Sequence, residues 1–243
     1  MTRFVNVVLV LSLVAALGSV GATSATQTSR PSPTSPAVMA ALRDGGLRAA
    51  AAASGGEYVG SVEWFYEEFE NTLESLARRS HVVLIGELGE NRAHLSASGE
   101  YITTDYRMTV ERSLKGGVSP QSSVVFRVMG GKVVFEDGSS ASIETKGLVR
   151  PNNGARVVIF GVVVPDVDRL MTPALREYAN GALVFNLVGW GRGVYELPSG
   201  ENDRIRMNAI GPKDRVAERL RGLTGRQFID ELERAVKGPR PTK

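Results

Sequence analysis

The chain has 243 residues, is 42% hydrophobic and carries a formal net charge of +3. That length can bury a core without covalent staples. The pI of about 9.3 reflects a small arginine excess and not the dense basic surface that neutralises many phosphates. There is no cysteine, which excludes disulfides, thiolate-ligated zinc, iron–sulfur clusters, thiol nucleophiles and a lipidated cysteine.

Residues 1–25 begin with Arg3, continue as an apolar run and end in small residues around Ala22 and Ala25, the pattern of a secretory signal peptide. An uncleaved anchor is the alternative, since residues 4–22 are marginally long enough to span a bilayer, but Asn6 and the Ser and Gly that interrupt the run favour cleavage. The protein is therefore expected to be exported, to a periplasmic or extracellular location, touching a membrane only through this segment if it is retained. Residues 26–60 are rich in Ser, Thr, Pro, Ala and Gly and read as a low-complexity linker, with room for a short helix in the alanine-rich part, 37–53. In residues 61–79, Val62, Phe65, Phe69, Leu73, Leu76 and Ala77 recur at helical spacing after a Ser61 cap, which predicts an amphipathic helix.

Strands follow. Residues 81–87, HVVLIGE, read as the next strand, and a polar loop is expected over 89–99. In 101–111, Ile102, Tyr106, Met108 and Val110 alternate with Thr103, Asp105, Arg107, Thr109 and Glu111, a period of two that predicts a half-buried strand with its polar side outward. Short strands are predicted at 123–129 and 132–137, joined as a hairpin through Gly130-Gly131, and at 140–145. Residues 156–164 are almost wholly apolar and read as a strand buried on both faces; Gly161 suggests a bulge or a close backbone approach. An interruption over 165–180 holds a short helix near 173–178. Strands resume at 182–188 and 193–197, joined through Gly189-Trp190-Gly191-Arg192. Beyond Pro198 the chain is polar, with helices predicted at 212–220 and, through the capping-box pair Thr224 and Gln227, at 224–236. The division is 1–25 signal peptide, 26–60 linker, 61–200 helix plus β-barrel domain, and 201–243 polar, partly helical tail.

Several segments, in order, carry a resemblance. They are Ser80-His81-Val82-Val83-Leu84-Ile85-Gly86, then Thr104-Asp105-Tyr106 through Val110-Glu111-Arg112-Ser113-Leu114-Lys115-Gly116, then Gly130-Gly131. Residues 154–160, Phe185-Asn186-Leu187-Val188-Gly189 with Gly193-Val194-Tyr195, and the helix at 224–236 complete the set. Over roughly residues 62–236 the chain resembles a family of exported bacterial proteins of uncharacterised activity. The resemblance implies a mainly β fold: a small closed antiparallel barrel of the oligonucleotide/oligosaccharide-binding (OB-like) kind, preceded by an amphipathic helix and followed by a short α-helical tail. The layout is similar to that of tissue metalloproteinase inhibitors and netrin-like modules. The N-terminal cysteine with which those inhibitors chelate zinc is absent, and the family supplies no catalytic residue to carry over.

The residues themselves concentrate no catalytic chemistry. His81 and His94 lie in no metal-binding run, and both read as structural or solvent-exposed. A Gly-x-Ser-x-Gly elbow and a phosphate-binding loop are missing. Gly189, Gly191 and Gly193 are followed by a strand, so they read as a β-turn and not a dinucleotide site. The carboxylates Glu87, Glu90, Glu100, Asp105, Glu111, Glu136, Asp137 and Glu144 are scattered and read as solvated surface. No catalytic residue, metal or cofactor is assigned. One exposed barrel face carrying Tyr101, Arg107, Arg127, Lys132, Trp190 and Arg192 is the candidate binding surface, although the aromatic content is only 7% and there is no strong nucleic-acid signal. The expectation is a non-enzymatic binding or interaction module whose partner is a cell-envelope or secreted protein or a polysaccharide. A secreted hydrolase using paired carboxylates and a protease-inhibitor-like module acting through the 89–99 loop are the alternatives.

Overall fold

The structure, a computed structural model, describes residues 32–62, 72–146, 148, 150–164, 172–188, 193–200, 202–207 and 215–238. In chain order the elements are α1 (Pro36–Ala53), β1 (Glu57–Val62), α2 (Leu73–Arg79), β2 (Val82–Leu95), β3 (Ile102–Lys115), β4 (Ser123–Met129), β5 (Gly131–Val134) and β6 (Ser140–Thr145). There follow β7 (Arg156–Val163), α3 (Pro173–Ala179), β8 (Leu183–Leu187), β9 (Val194–Leu197), β10 (Arg206–Met207), α4 (Arg215–Leu220) and α5 (Gly225–Lys237). The protein is mainly β. Its described residues form two compact units: one within 1–64, 95–102 and 130–146, the other within 65–94, 103–129 and 147–243. The signal-peptide segment, and the part of the expected helix over 63–71 that holds Phe65 and Phe69, lie outside the described residues.

The first unit is a three-stranded sheet in the order β1-β6-β5, with β1 and β6 parallel and β5 and β6 antiparallel. Helix α1 packs on β1 and β6. Ser35 caps it by accepting from the Val38 amide, and Pro36 opens its first turn. The stretch expected as a linker is thus largely ordered: its alanine-rich part is helical, and Val38, Leu47, Ala50 and Ala51 are buried. Residues 61 and 62, expected to start a helix, end β1 instead. Tyr58, Gly60 and Val62 point inward on a period of two, and pairing with β6 satisfies the backbone that a helix would otherwise have served.

Gly130-Gly131 does not make a hairpin. Both edges of β4 are taken, by β3 and β8, and Gly131 already pairs with Ile143 of β6. With φ of 89° and 147°, the two glycines depart from a tight two-residue turn and carry the chain from one sheet to the other. The tight reversal lies at Asp137-Gly138, where the Phe135 amide donates to the Ser139 carbonyl at 2.8 Å.

The second unit holds a seven-stranded sheet in the order β10-β9-β7-β2-β3-β4-β8, and β7 pairs with β8 as well. Strand β7 has β2 on one edge. Its other edge is shared, with Arg156–Ile159 facing β9 and Gly161–Val163 facing β8. Burial on both faces follows, and Val157, Val158, Ile159 and Phe160 are 0% exposed. Gly161 stays in register and is not bulged; a Cβ there would lie 3.0 Å from both Phe185 Cβ and Val82 Cγ2, so the glycine makes room for those side chains. Gly86 is the tighter constraint, because a Cβ would run into the Thr109 carbonyl of β3. Strand β2 continues to Leu95, so the expected 89–99 loop is mostly strand.

Two apolar layers flank the strands. Leu84, Tyr106, Met108, Val124, Phe126, Ile159 and Phe185 form one, with Tyr106 and Phe126 stacked at 5.3 Å. In the other, Val83, Ile85, Val158, Phe160 and Tyr195 meet Leu76, Val216, Leu220, Phe228, Leu232 and Ala235. Residues 215–237 are therefore a cover and not a polar tail. The Thr224 and Gln227 capping box is formed in full, with reciprocal hydrogen bonds of 3.0 and 3.3 Å. Lys115 closes the C-terminal end of α2, its ammonium donating to the Ala77 and Ser80 carbonyls at 2.7 Å.

Candidate functional site

The alternation of β3 sends Tyr106, Met108 and Val110 into an apolar layer. Thr103, Asp105 and Arg107 therefore face the other way. In the antiparallel register Asp105 stands opposite Arg127, and Arg107 opposite Val125; the parallel pairing sets Val184 of β8 beside Val125. Over this face lies α3, capped by the Thr172 hydroxyl. Its Leu175, Tyr178 and Ala179 pack with Val125, Val164 and Val184.

Beneath the helix sits a cluster of ionisable side chains. Asp105, expected on a solvated strand face, is 0% exposed, because α3 covers the side that period-two alternation alone leaves open. Arg127 holds it with two hydrogen bonds, Nε to Oδ1 at 2.9 Å and Nη2 to Oδ2 at 3.4 Å, the forked geometry that guanidinium and carboxylate favour. His94 Nε2 is 3.1 Å from Asp105 Oδ2, yet the N–H direction misses the oxygen and this buried nitrogen has no hydrogen-bond partner. The two groups are in contact without an aligned bond. Burial pushes the His94 pKa below its ordinary value; Asp105 and Glu177 partly oppose the shift, while Arg92 and Arg127 add to it.

Tyr178 joins the cluster to α3. Its hydroxyl donates to the Glu90 carbonyl at 2.8 Å, and its own carbonyl accepts from Arg107 Nη2. The Arg107 guanidinium lies over the ring, 5.1 Å from its centroid, and the His94 ring meets it edge-on at 5.9 Å. Burial, reinforced by Glu90, raises the hydroxyl pKa. Arg107 also donates to Ser123 Oγ at 3.1 Å and approaches Glu90 Oε1 at 3.9 Å, where the glutamate side chain is 72% exposed.

The six residues expected on one exposed surface are distributed differently. Arg107 and Arg127 do share this face, but neither is a free surface cation: the Arg127 side chain is 10% exposed and bound to Asp105. Tyr101 and Lys132 belong to the first unit. There the Tyr101 amide donates to Ser96 Oγ, and Lys132 pairs with Glu57 at 3.2 Å. Trp190 and Arg192 lie outside the described residues. Of the two histidines, His81 is exposed and accepts from the Val163 amide through Nδ1 at 3.2 Å, whereas His94 is buried. Sequence reasoning missed His94, Asp105 and Tyr178 as a set. The one available signal was an acid in β3 and an arginine in β4 at positions that an antiparallel register can align; the helix that buries them comes from far along the chain.

Chemically the cluster offers one buried carboxylate already bound by a guanidinium. Glu87, Glu90, Glu100, Glu136, Asp137 and Glu144 are exposed, and among the described residues no second carboxylate pairs with Asp105. Among the described residues no group of three or more His, Asp or Glu could hold a metal ion, and no helix is long and apolar enough to cross a membrane. No protein-family model and no curated protein matches this chain.

Proposed function

We propose that this protein is an exported, non-catalytic binding module whose larger unit is an OB-like barrel and whose partner is a component of the cell envelope. Pairings that run β7–β2–β3–β4–β8 and return to β7, with β4 and β8 parallel, support the barrel reading. So does the apolar layer that the five strands share.

The observation that carries the binding reading is the position of the ionisable cluster. OB barrels take ligands on the face of their second and third strands, flanked by the loop between the fourth and fifth. Here those strands are β3 and β4, and α3 lies in the connection between β7 and β8. A carboxylate clamped by arginine, with no second one paired to it among the described residues, suits a structural ion pair better than proton transfer, since glycoside hydrolysis needs two carboxyl groups across one bond. A protruding inhibitory loop at 89–99 has no support, β2 occupying most of it. The test is a titration of the 26–243 chain with cell-envelope polysaccharide fractions and envelope proteins, with ligand integrity checked afterwards. Saturable binding of uncleaved ligand that Arg107→Ala weakens roughly tenfold is the expected outcome. Turnover of the ligand, or affinity that the substitution leaves unchanged, overturns the proposal.

A further inference from the structure

We propose that Asn180, at the C-terminal end of α3, is a site of spontaneous deamidation in the folded protein, selected by the structure over Asn153. These are the two asparagines of the chain that precede a glycine, and both stand in the same tripeptide, Asn-Gly-Ala. A glycine amide is the least crowded nucleophile that can follow an asparagine, so local sequence favours the reaction equally at both. Any difference between them is made by the fold.

The reaction is an internal acyl transfer. The Gly181 amide nitrogen, its proton lost to hydroxide, attacks Cγ of the Asn180 carboxamide. The new N–Cγ bond closes a succinimide ring, the Cγ–Nδ2 bond breaks, and ammonia leaves with a proton from water. Water then opens the ring: addition at Cγ gives aspartate, and addition at the backbone carbonyl gives isoaspartate. No redox partner is involved.

Both pairs are exposed and occupy the two central positions of a tight turn. The Ala155 amide donates to the Asn152 carbonyl at 3.1 Å, and the Ala182 amide to the Ala179 carbonyl at 2.9 Å. Gly154 and Gly181 have matching positive φ of 77° and 79°. Ring closure rotates the asparagine about ψ, which opens the turn, so whatever else holds each turn decides the rate. At Asn153 the reacting groups themselves are held. The Gly154 amide donates to the Leu88 carbonyl at 2.7 Å, and the Leu88 amide donates back to the Ala155 carbonyl at 2.9 Å. The carboxamide oxygen of Asn153 accepts from Asn91 Nδ2 at 2.7 Å. At Asn180, among the described residues, neither the Gly181 amide nor the carboxamide is hydrogen-bonded. Asn180 also holds a left-handed conformation, φ 48° and ψ 49°, which a side chain with a Cβ adopts at a cost. Opening this turn therefore releases strain and breaks fewer bonds.

The product changes the element it terminates. It sets a carboxylate at the C-terminal end of α3, where the unpaired carbonyls already make the helix negative. Isoaspartate in addition lengthens the backbone between α3 and β8 by one methylene. The helix over the β3–β4 face is thus joined to the sheet by a turn that changes charge and length once and does not revert.

Peptide mapping by mass spectrometry tests this on the purified protein held at mildly alkaline pH, with heavy-oxygen water marking each hydrolysed ring. In the folded chain Asn180 is expected to convert about tenfold faster than Asn153, the factor that one or two additional net hydrogen bonds supply. In denaturant the two rates should converge. Asn91→Ala, at an exposed position, should speed Asn153 severalfold and leave Asn180 unchanged. Folded Asn153 reacting as fast as Asn180 overturns the proposal. So does Asn180 staying amidated over a time in which the denatured chain converts fully, or an Asn153 rate that Asn91→Ala does not move.

Discussion

Two outward faces of the larger sheet are covered by helices, in opposite chemical ways. On the face of β7, β2 and β9, the C-terminal helices close an apolar contact in which Phe160, Tyr195 and Phe228 meet ring to ring at 5.8 and 5.1 Å. On the face of β3, β4 and β8, α3 closes over an aspartate, two arginines and a histidine. Burying apolar area stabilises in proportion to area and is nearly indifferent to pH. A buried ionic cluster compensates desolvation only while every charge keeps its partner. The first cover rests on apolar area, and the second also on charge pairing.

Three single substitutions and one double change separate the two covers, the single ones running from the largest effect to the smallest. Phe228→Ala, at a fully buried ring, should cost about 4 kcal/mol in denaturant unfolding, and that cost should be the same at neutral and mildly acid pH. Asp105→Ala leaves Arg127 buried beside an empty site and should cost about 3 kcal/mol. The double change Asp105→Leu with Arg127→Met should recover most of the loss, since it removes both charges together; failure to recover would mean that the cluster contributes more than a paired charge. Thr224→Ala removes one half of the α5 capping box and should lower stability by about 1 kcal/mol, a shift in unfolding midpoint with unchanged denaturant slope.

Local pattern made much of the fold legible. Strands at 123–129 and 140–145 and the capped C-terminal helix have the bounds or cap that alternation and the Thr224–Gln227 pair indicate, because those signals act within a few residues. The almost wholly apolar run at 156–164 reads as a strand buried on both sides, and β7 is one. Errors arose where a distant partner decided the outcome. Gly130-Gly131 has hairpin composition, yet β8, far later in the chain, takes the edge of β4 that a hairpin would have used. Residues 57–62 became a strand because β6 offers a parallel partner. Asp105 obeys its predicted alternation and still lies inside, since polarity identifies the side of a strand but not whether another element covers it.

By itself, the sequence determined that 123–129 and 140–145 extend, that α5 begins at its Thr224 cap, and that β7 is central. These depend on backbone preference and on side-chain period, both local quantities. Only the tertiary structure decided which strands pair, that the chain divides into two units with interleaved segments, and that His94, Asp105, Arg127 and Tyr178 form one cluster. Burial and charge pairing are properties of surfaces brought together across the chain, and a register of two carries no record of what will lie on top.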